Sequence, residues 1–218
     1  GGRGRAGTIA ARLLVEFGAE SGAAIERVRQ ARPGTIETVE QERHVRACTG
    51  VVSDPVLVDR ILGCLFGGAV GDGFGYAIEF DRLAEIRRLY GAGGLQAPKL
   101  TDGKLVVSDD TQMTLFTASA LTGASDPEDA VAAIRLAYLD WYRTQTQRWP
   151  TEADQGMAVR PELWAQRAPG LTCMSALASG GHGTPTARIN DSKGCGGVMR
   201  VAPIGLMTRW TEEQVVEV

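Results

Sequence analysis

The sequence predicts a mainly α-helical chain, and three observations carry that prediction. Apolar residues recur at helical spacing in three stretches: Ile9, Leu13 and Leu14; Ile61, Leu62, Leu65, Phe66, Ala69 and Val70; and Met113, Phe116, Ala120 and Leu121. Ser108, Asp109 and Asp110 stand directly ahead of the third stretch. Their oxygens can cap free N–H groups there, and their charge suits the positive end of a helix dipole. Near the end of the chain, Thr211 and Gln214 have the spacing of a capping box.

Composition bounds the function classes. The 218 residues are 44% hydrophobic, enough for a substantial core in one or two domains. A net charge of −3 without a basic run argues against a nucleic-acid surface. The longest strongly apolar stretch, Ile61–Gly71, has 11 residues and is too short to span a bilayer. No signal peptide is visible, so a cytoplasmic protein with no membrane partner is expected. Cys48, Cys64, Cys173 and Cys195 show no C-x-x-C spacing and read as reduced thiols. With His44 and His182 as its histidines, the chain has little material for a histidine-rich zinc site. Glycine is the outlier: 28 residues, about 13% against a usual ~7%, many of them in three patches.

The first patch opens the chain as GGRGRAGTIAARLLVEFG, a glycine-rich loop running into a helix that Gly18 or Gly22 can stop. Backbone N–H groups with Arg5 as a bidentate donor would cradle a phosphate; a plain turn with a surface arginine is the other reading. From Gly1 to about Cys48 the sequence resembles the tail of a cysteine-dependent, dual-specificity-type protein phosphatase. Arg5 matches the arginine of that family's phosphate loop. The stretch AIERVRQARPGTIETVEQERHVR matches its closing helices, with Gln41 near a glutamine that helps position water. The resemblance implies a helical remnant of an α/β phosphatase domain over residues 1–50. The family's nucleophilic cysteine would fall two positions before Gly1, and Ala6 and Glu37 depart from its usual hydroxyl residue and glutamine. Without a thiolate nucleophile this segment is expected to be inactive as a phosphatase. Turn residues over Ala47–Val56 mark a boundary. Residues 1–50 carry eight Arg and six acidic residues, net +2, which leaves −5 for the remainder and agrees with two modules.

The second patch is DRILGCLFGGAVGDGFGYAIEF, Asp59 to Phe80. Gly63, Gly67 and Gly68 would let another helix approach closely, at about 1 kcal/mol each relative to alanine. Asp72 ends the apolar run and reads as a helix-terminal turn residue; Glu79 reads as a surface acid. Ahead of the third helical stretch, one carboxylate would suffice for a cap, whereas adjacent Asp109 and Asp110 flanked by Ser108 and Thr111 also suit Mg²⁺ or Mn²⁺. The third patch is INDSKGCGGVMRVAPIGL. Gly194, Gly196 and Gly197 surround Cys195 with little bulk there, so that successive N–H groups can form an anion-binding concavity, with charge from Lys193 or Arg200. Cys195 reads as a small packed residue rather than a nucleophile.

Four motifs in order, GCLFGGAVGDGFGYAIEF, SDDTQMTLFTASAL, YLDWYRTQ and NDSKGCGGVMRVAPIGL, make residues 56–218 resemble the ADP-ribosylglycohydrolases. That resemblance implies an all-helical domain with two divalent metals, Mg²⁺ or Mn²⁺, at the base of a cleft. It implies Ser108, Asp109 and Asp110 as metal ligands, Glu79 as the acid beside the scissile bond and a structural Asp72. Gly194, Cys195, Gly196, Gly197, Val198 and Met199 would wrap the ADP-ribose. The implied activity is hydrolysis of the glycosidic bond between ADP-ribose and a protein side chain, the partner being an ADP-ribosylated protein or an ADP-ribose-bearing small molecule. The family's second metal element, Asp-x-Asp-Thr, is absent from these 218 residues, so the chain reads as incomplete and weakly active or inactive by itself. Two alternatives stand beside this: a phosphatase with a non-catalytic ADP-ribose-binding module, and a catalytically dead structural relative.

Overall fold

Helical periodicity becomes helix along most of the chain. A computed structural model describes residues 3–16, 19–48, 55–149, 156–184 and 186–218, with the side chains of residues 3–6 and 16 outside that description. Of the described residues, 62% are helical and 2% strand, the mainly α class that the sequence predicts. Among the described residues, no helix is long and apolar enough to cross a membrane. Two compact units divide it, Gly1–Phe66 and Gly67–Val218.

The first unit holds α1 (Arg3–Glu16), α2 (Ser21–Ala31), α3 (Val39–Arg46) and the first part of α4 (Pro55–Gly75). Its core joins Ala11, Leu14 and Val15 to Ala24, Ile25, Val28, Val45 and Val58. The buried stripe of α1 therefore includes Leu14 as expected, while Ile9 and Leu13 are half-buried. Glu20 caps α2 by accepting from Ala23 N at 2.9 Å. Thr38 and Gln41 form a capping box on α3, and Gln41 Oε1 accepts from Glu37 N (2.7 Å) and Thr38 N (3.3 Å). Gln41 is thus engaged with its own helix start. Arg5 lies inside α1 and not in a loop, because helix begins at Arg3; its side chain is outside the described residues. Gly22 sits in the first turn of α2 and stops nothing, whereas Gly18 and residues 49–54 of the expected boundary are outside the described residues.

The second unit continues α4 and adds α5 (Leu83–Tyr90), the hairpin strands β1 (Leu100–Thr101) and β2 (Lys104–Leu105), α6 (Asp109–Leu121), α7 (Pro127–Thr146), α8 (Leu171–Ala178), α9 (Ala202–Gly205) and α10 (Glu212–Glu217). Asp102 and Gly103 turn the hairpin at φ +50° and +71°, the left-handed pair that a tight two-residue turn requires. On α6 the predicted Met113, Phe116 and Leu121 are buried, and Gln112 and Thr117 are buried with them. Leu121, Ala124, Ala130, Ile134 and Ile204 form a cluster against which Tyr138, Met207 and Trp210 pack. The Thr211–Gln214 capping box forms on α10 as predicted.

The glycines of α4 behave differently from expectation. A Cβ built on Gly63, Gly67 or Gly68 meets nothing within 4 Å among the described residues, so no neighbour uses the space they leave. Close approach occurs instead at Gly73, where a Cβ would lie 2.7 Å from Leu105 Cγ and 3.0 Å from Val106 O. The helix also runs on to Gly75, which places Asp72 inside its last turn and not at its end.

Candidate functional site

The site is built around the first turn of α6. Gly73 lets α4 lie against residues 105–106, and the adjacent Asp72 then reaches across. Its Oδ2 accepts from Ser108 N (2.9 Å), Thr111 N (3.2 Å) and the Thr111 hydroxyl. Ser108 adds a local cap, its Oγ accepting from Asp110 N at 3.1 Å. With those donors satisfied from outside, Asp109 and Asp110 are not needed to cap the helix themselves.

Asp109 is held by the segment between the third and fourth motifs, which sequence reasoning missed. Its N–H donates to Arg167 O (2.8 Å), and its Oδ2 accepts from Gly170 N (3.1 Å). Between these two contacts Ala168 adopts φ +59°, a left-handed conformation that a non-glycine residue takes at a cost. Buried Gln112 ties the same segment down, donating to Ala165 O (2.9 Å) and accepting from Trp141 Nε1 (3.1 Å) and Gln145 Nε2 (3.3 Å). The Pro169-Gly170 turn signal was the one local clue to this clasp.

Four carboxylates share this region. Burial pushes Asp109 up to about 6, and the charges of Asp110 and Glu79 add to that, against the lowering effect of the Gly170 N–H. Asp110 is raised by burial and then by Asp72; Glu79 is raised by burial, then by Asp110 and Asp72. Glu79 follows α4 in an exposed turn. The charge therefore accumulates uncompensated, and among the described residues neither Asp110 nor Glu79 has a side-chain hydrogen bond or ion pair. No group of three or more His, Cys, Asp or Glu side chains among the described residues is arranged to hold a metal ion unaided. One oxygen of each of two acids is already engaged, Asp72 Oδ2 with the α6 backbone and Asp109 Oδ2 with Gly170.

The third glycine patch forms a 3₁₀ turn, Cys195–Arg200, packed beside α6. Gly194 donates to Ser192 Oγ (3.2 Å), and a Cβ there would lie 2.7 Å from Thr172 Oγ1. Gly196 is buried on Cys173, with space for no Cβ, since one would stand 2.5 Å from the sulfur. Cys195 is exposed rather than packed, because it is Gly196, its neighbour, that faces Cys173. Gly197 and Val198 are exposed, and Met199 O accepts from Thr114 Oγ1 (3.1 Å). The N–H groups opening such a turn have no partner within it.

The sequence model of the family described as ADP-ribosylglycohydrolase matches residues 53–218. This chain belongs to the ADP-ribosylglycohydrolase family. The match leaves residues 1–52 unassigned, so the phosphatase likeness has no counterpart in it. An "Uncharacterized protein" of Archaeoglobus fulgidus is 30% identical over 159 residues, covering 68% of this chain and 43% of that protein. The chain thus spans less than half the length of the curated relative it matches. No solved structure matches. The helices from α4 to α10, the acids around the start of α6 and the 195–200 turn fall in the matched residues, while α1, α2 and α3 lie outside them.

Proposed function

We propose that this ADP-ribosylglycohydrolase-family chain binds ADP-ribose and serves hydrolysis of the glycosidic bond joining it to a protein side chain, assisted by Mg²⁺ or Mn²⁺. The observation that carries the reading is the uncompensated group of Asp110, Asp109 and Glu79 at the start of α6, in the same unit as the exposed backbone of the 195–200 turn. Its donor chemistry fits a hard cation: carboxylate and hydroxyl oxygens, with negative charge that raises each acid's pKa. Ser108, Asp109 and Asp110 would hold the ion, with water completing a set that these side chains do not fill alone. When bound, it would offset this charge and lower the pKa of a water it carries.

The chain's own residues then divide the work. The Gly170 N–H fixes one oxygen of Asp109 and leaves the other for substrate or ion. Glu79, shifted toward its protonated form, can donate its proton to the leaving nitrogen or oxygen as the bond at the anomeric carbon breaks through an oxocarbenium-like state, and can take one back from the water that adds to that carbon. The N–H of Cys195, which opens the 195–200 turn and has no partner within it, offers a donor to the pyrophosphate. For residues 1–48 we keep the reading of a phosphatase remnant with Arg5 as its phosphate ligand, and for the whole protein that of a cytoplasmic bifunctional chain.

One observation favours a second reading, ADP-ribose binding without turnover: no acidic triad among the described residues holds a metal unaided. A single experiment separates the two. Thermal unfolding of the chain with ADP-ribose, with and without Mg²⁺, is expected to show protection that a chelator weakens. Release of ADP-ribose from a modified protein, lost in Asp109→Asn, would establish hydrolysis. Protection without release would leave binding alone, and neither would overturn the proposal.

A further inference from the structure

Arg200 closes the 195–200 turn, and its side chain enters the space between three helices. Nη1 lies 3.4 Å from Cys173 Sγ on α8 and 3.6 Å from Met113 Sδ on α6. The guanidinium carbon stands 4.4 Å over the ring of Tyr138 on α7, and the Tyr138 hydroxyl shares a 2.7 Å hydrogen bond with Thr117 of α6. None of these partners is a carboxylate. Sulfur is a weak acceptor, and a planar guanidinium suits an aromatic face better than an ammonium does. What the contacts share is mechanical: one side chain ties the turn to α6, α7 and α8 together.

The rest of the turn has less hold. Val198 is 71% exposed, and a Cβ on Gly197 meets nothing within 4 Å. Gly196 against Cys173 and Met199 O on Thr114 are its other attachments. We infer that Arg200 is a positioning residue that sets the Gly194–Met199 backbone in its ligand-facing place by inserting between the three helices. The ligand half of this inference rests on the proposed ADP-ribose reading; the anchoring half has its own readout.

Cys173 supplies that readout, being 3% exposed beneath Gly196 while Cys64 and Cys195 are exposed. In the full chain under native conditions, N-ethylmaleimide with mass spectrometry should label Cys64 and Cys195 and spare Cys173. Arg200→Met is expected to speed Cys173 labelling and weaken ADP-ribose binding, each by about 10-fold or more. Arg200→Lys, which keeps a cation over Tyr138, should recover part of both. Ile134→Val, one turn before Tyr138 in the cluster against which Tyr138 packs, controls for general destabilisation of that core and should leave Cys173 protected. Unchanged Cys173 labelling in Arg200→Met, or equal acceleration in Ile134→Val, would overturn the anchoring. Faster labelling with unaltered ADP-ribose affinity would overturn the positioning role. A wild-type chain that fails to bind ADP-ribose overturns the proposed function instead, and labelling still decides the anchoring.

Discussion

Asp109 is pulled in two directions by its surroundings. Burial and neighbouring charge raise it from 3.8 to about 6, while the Gly170 N–H stabilises the carboxylate. A raised acid pKa means the folded state binds the proton more tightly than the unfolded one, so metal-free stability falls as pH rises from about 4 to about 6. The gap corresponds to at most about 3 kcal/mol. Urea titrations in chelator should therefore show Asp109→Asn gaining on the wild type across that window; parallel curves would mean the acid is not buried as described. Ala168 gives a second single-residue expectation. Glycine adopts φ +59° without the Cβ penalty, so Ala168→Gly should stabilise the fold by roughly 0.5–1 kcal/mol after the added unfolded-state freedom, read as a higher melting temperature. At this scale the place of Asp109 and Asp110 in a first helical turn behind Ser108 was legible from their pattern. The clasp was not, since nothing local in Ala168 announces a left-handed residue.

The start of α6 shows how an element acquires a cap from two sources. Ser108 is the local one, and the pattern ahead of the helix foretold it. Asp72 is the remote one, 36 residues away, and it satisfies three donors of the same turn from inside α4. Asp72→Ala should cost about 2–3 kcal/mol, measured by urea unfolding, because a charged acceptor goes and buried N–H groups are left unpaired. Asp72→Asn should cost less, since it keeps an acceptor. The same reasoning explains the glycines of α4. Periodicity shows that an apolar helix forms, yet it cannot tell Gly73, which meets β2, from Gly63, Gly67 and Gly68, which meet nothing among the described residues.

For the molecule as a whole, the contacts that build the site, from Asp72 through Gly170 to Arg200, all fall within Gly67–Val218, although α4 itself begins at Pro55. Residues 55–218 expressed alone should therefore show the same ADP-ribose-dependent thermal protection as the full chain. Protection seen only in the full chain would assign part of the site to residues 1–54. The sequence by itself determined the helical class, the places of α4, α6 and α10, the Thr211–Gln214 box and the motif order that marks the family. Those features rest on interactions reaching three or four residues along the chain. Only the tertiary structure decided which glycine permits close approach, which Asp109 oxygen is engaged, and where Arg200 goes. These depend on partners 32 (Gly73 to Leu105), 61 and 87 residues away in sequence, and burial and pKa are properties of the surroundings such partners create.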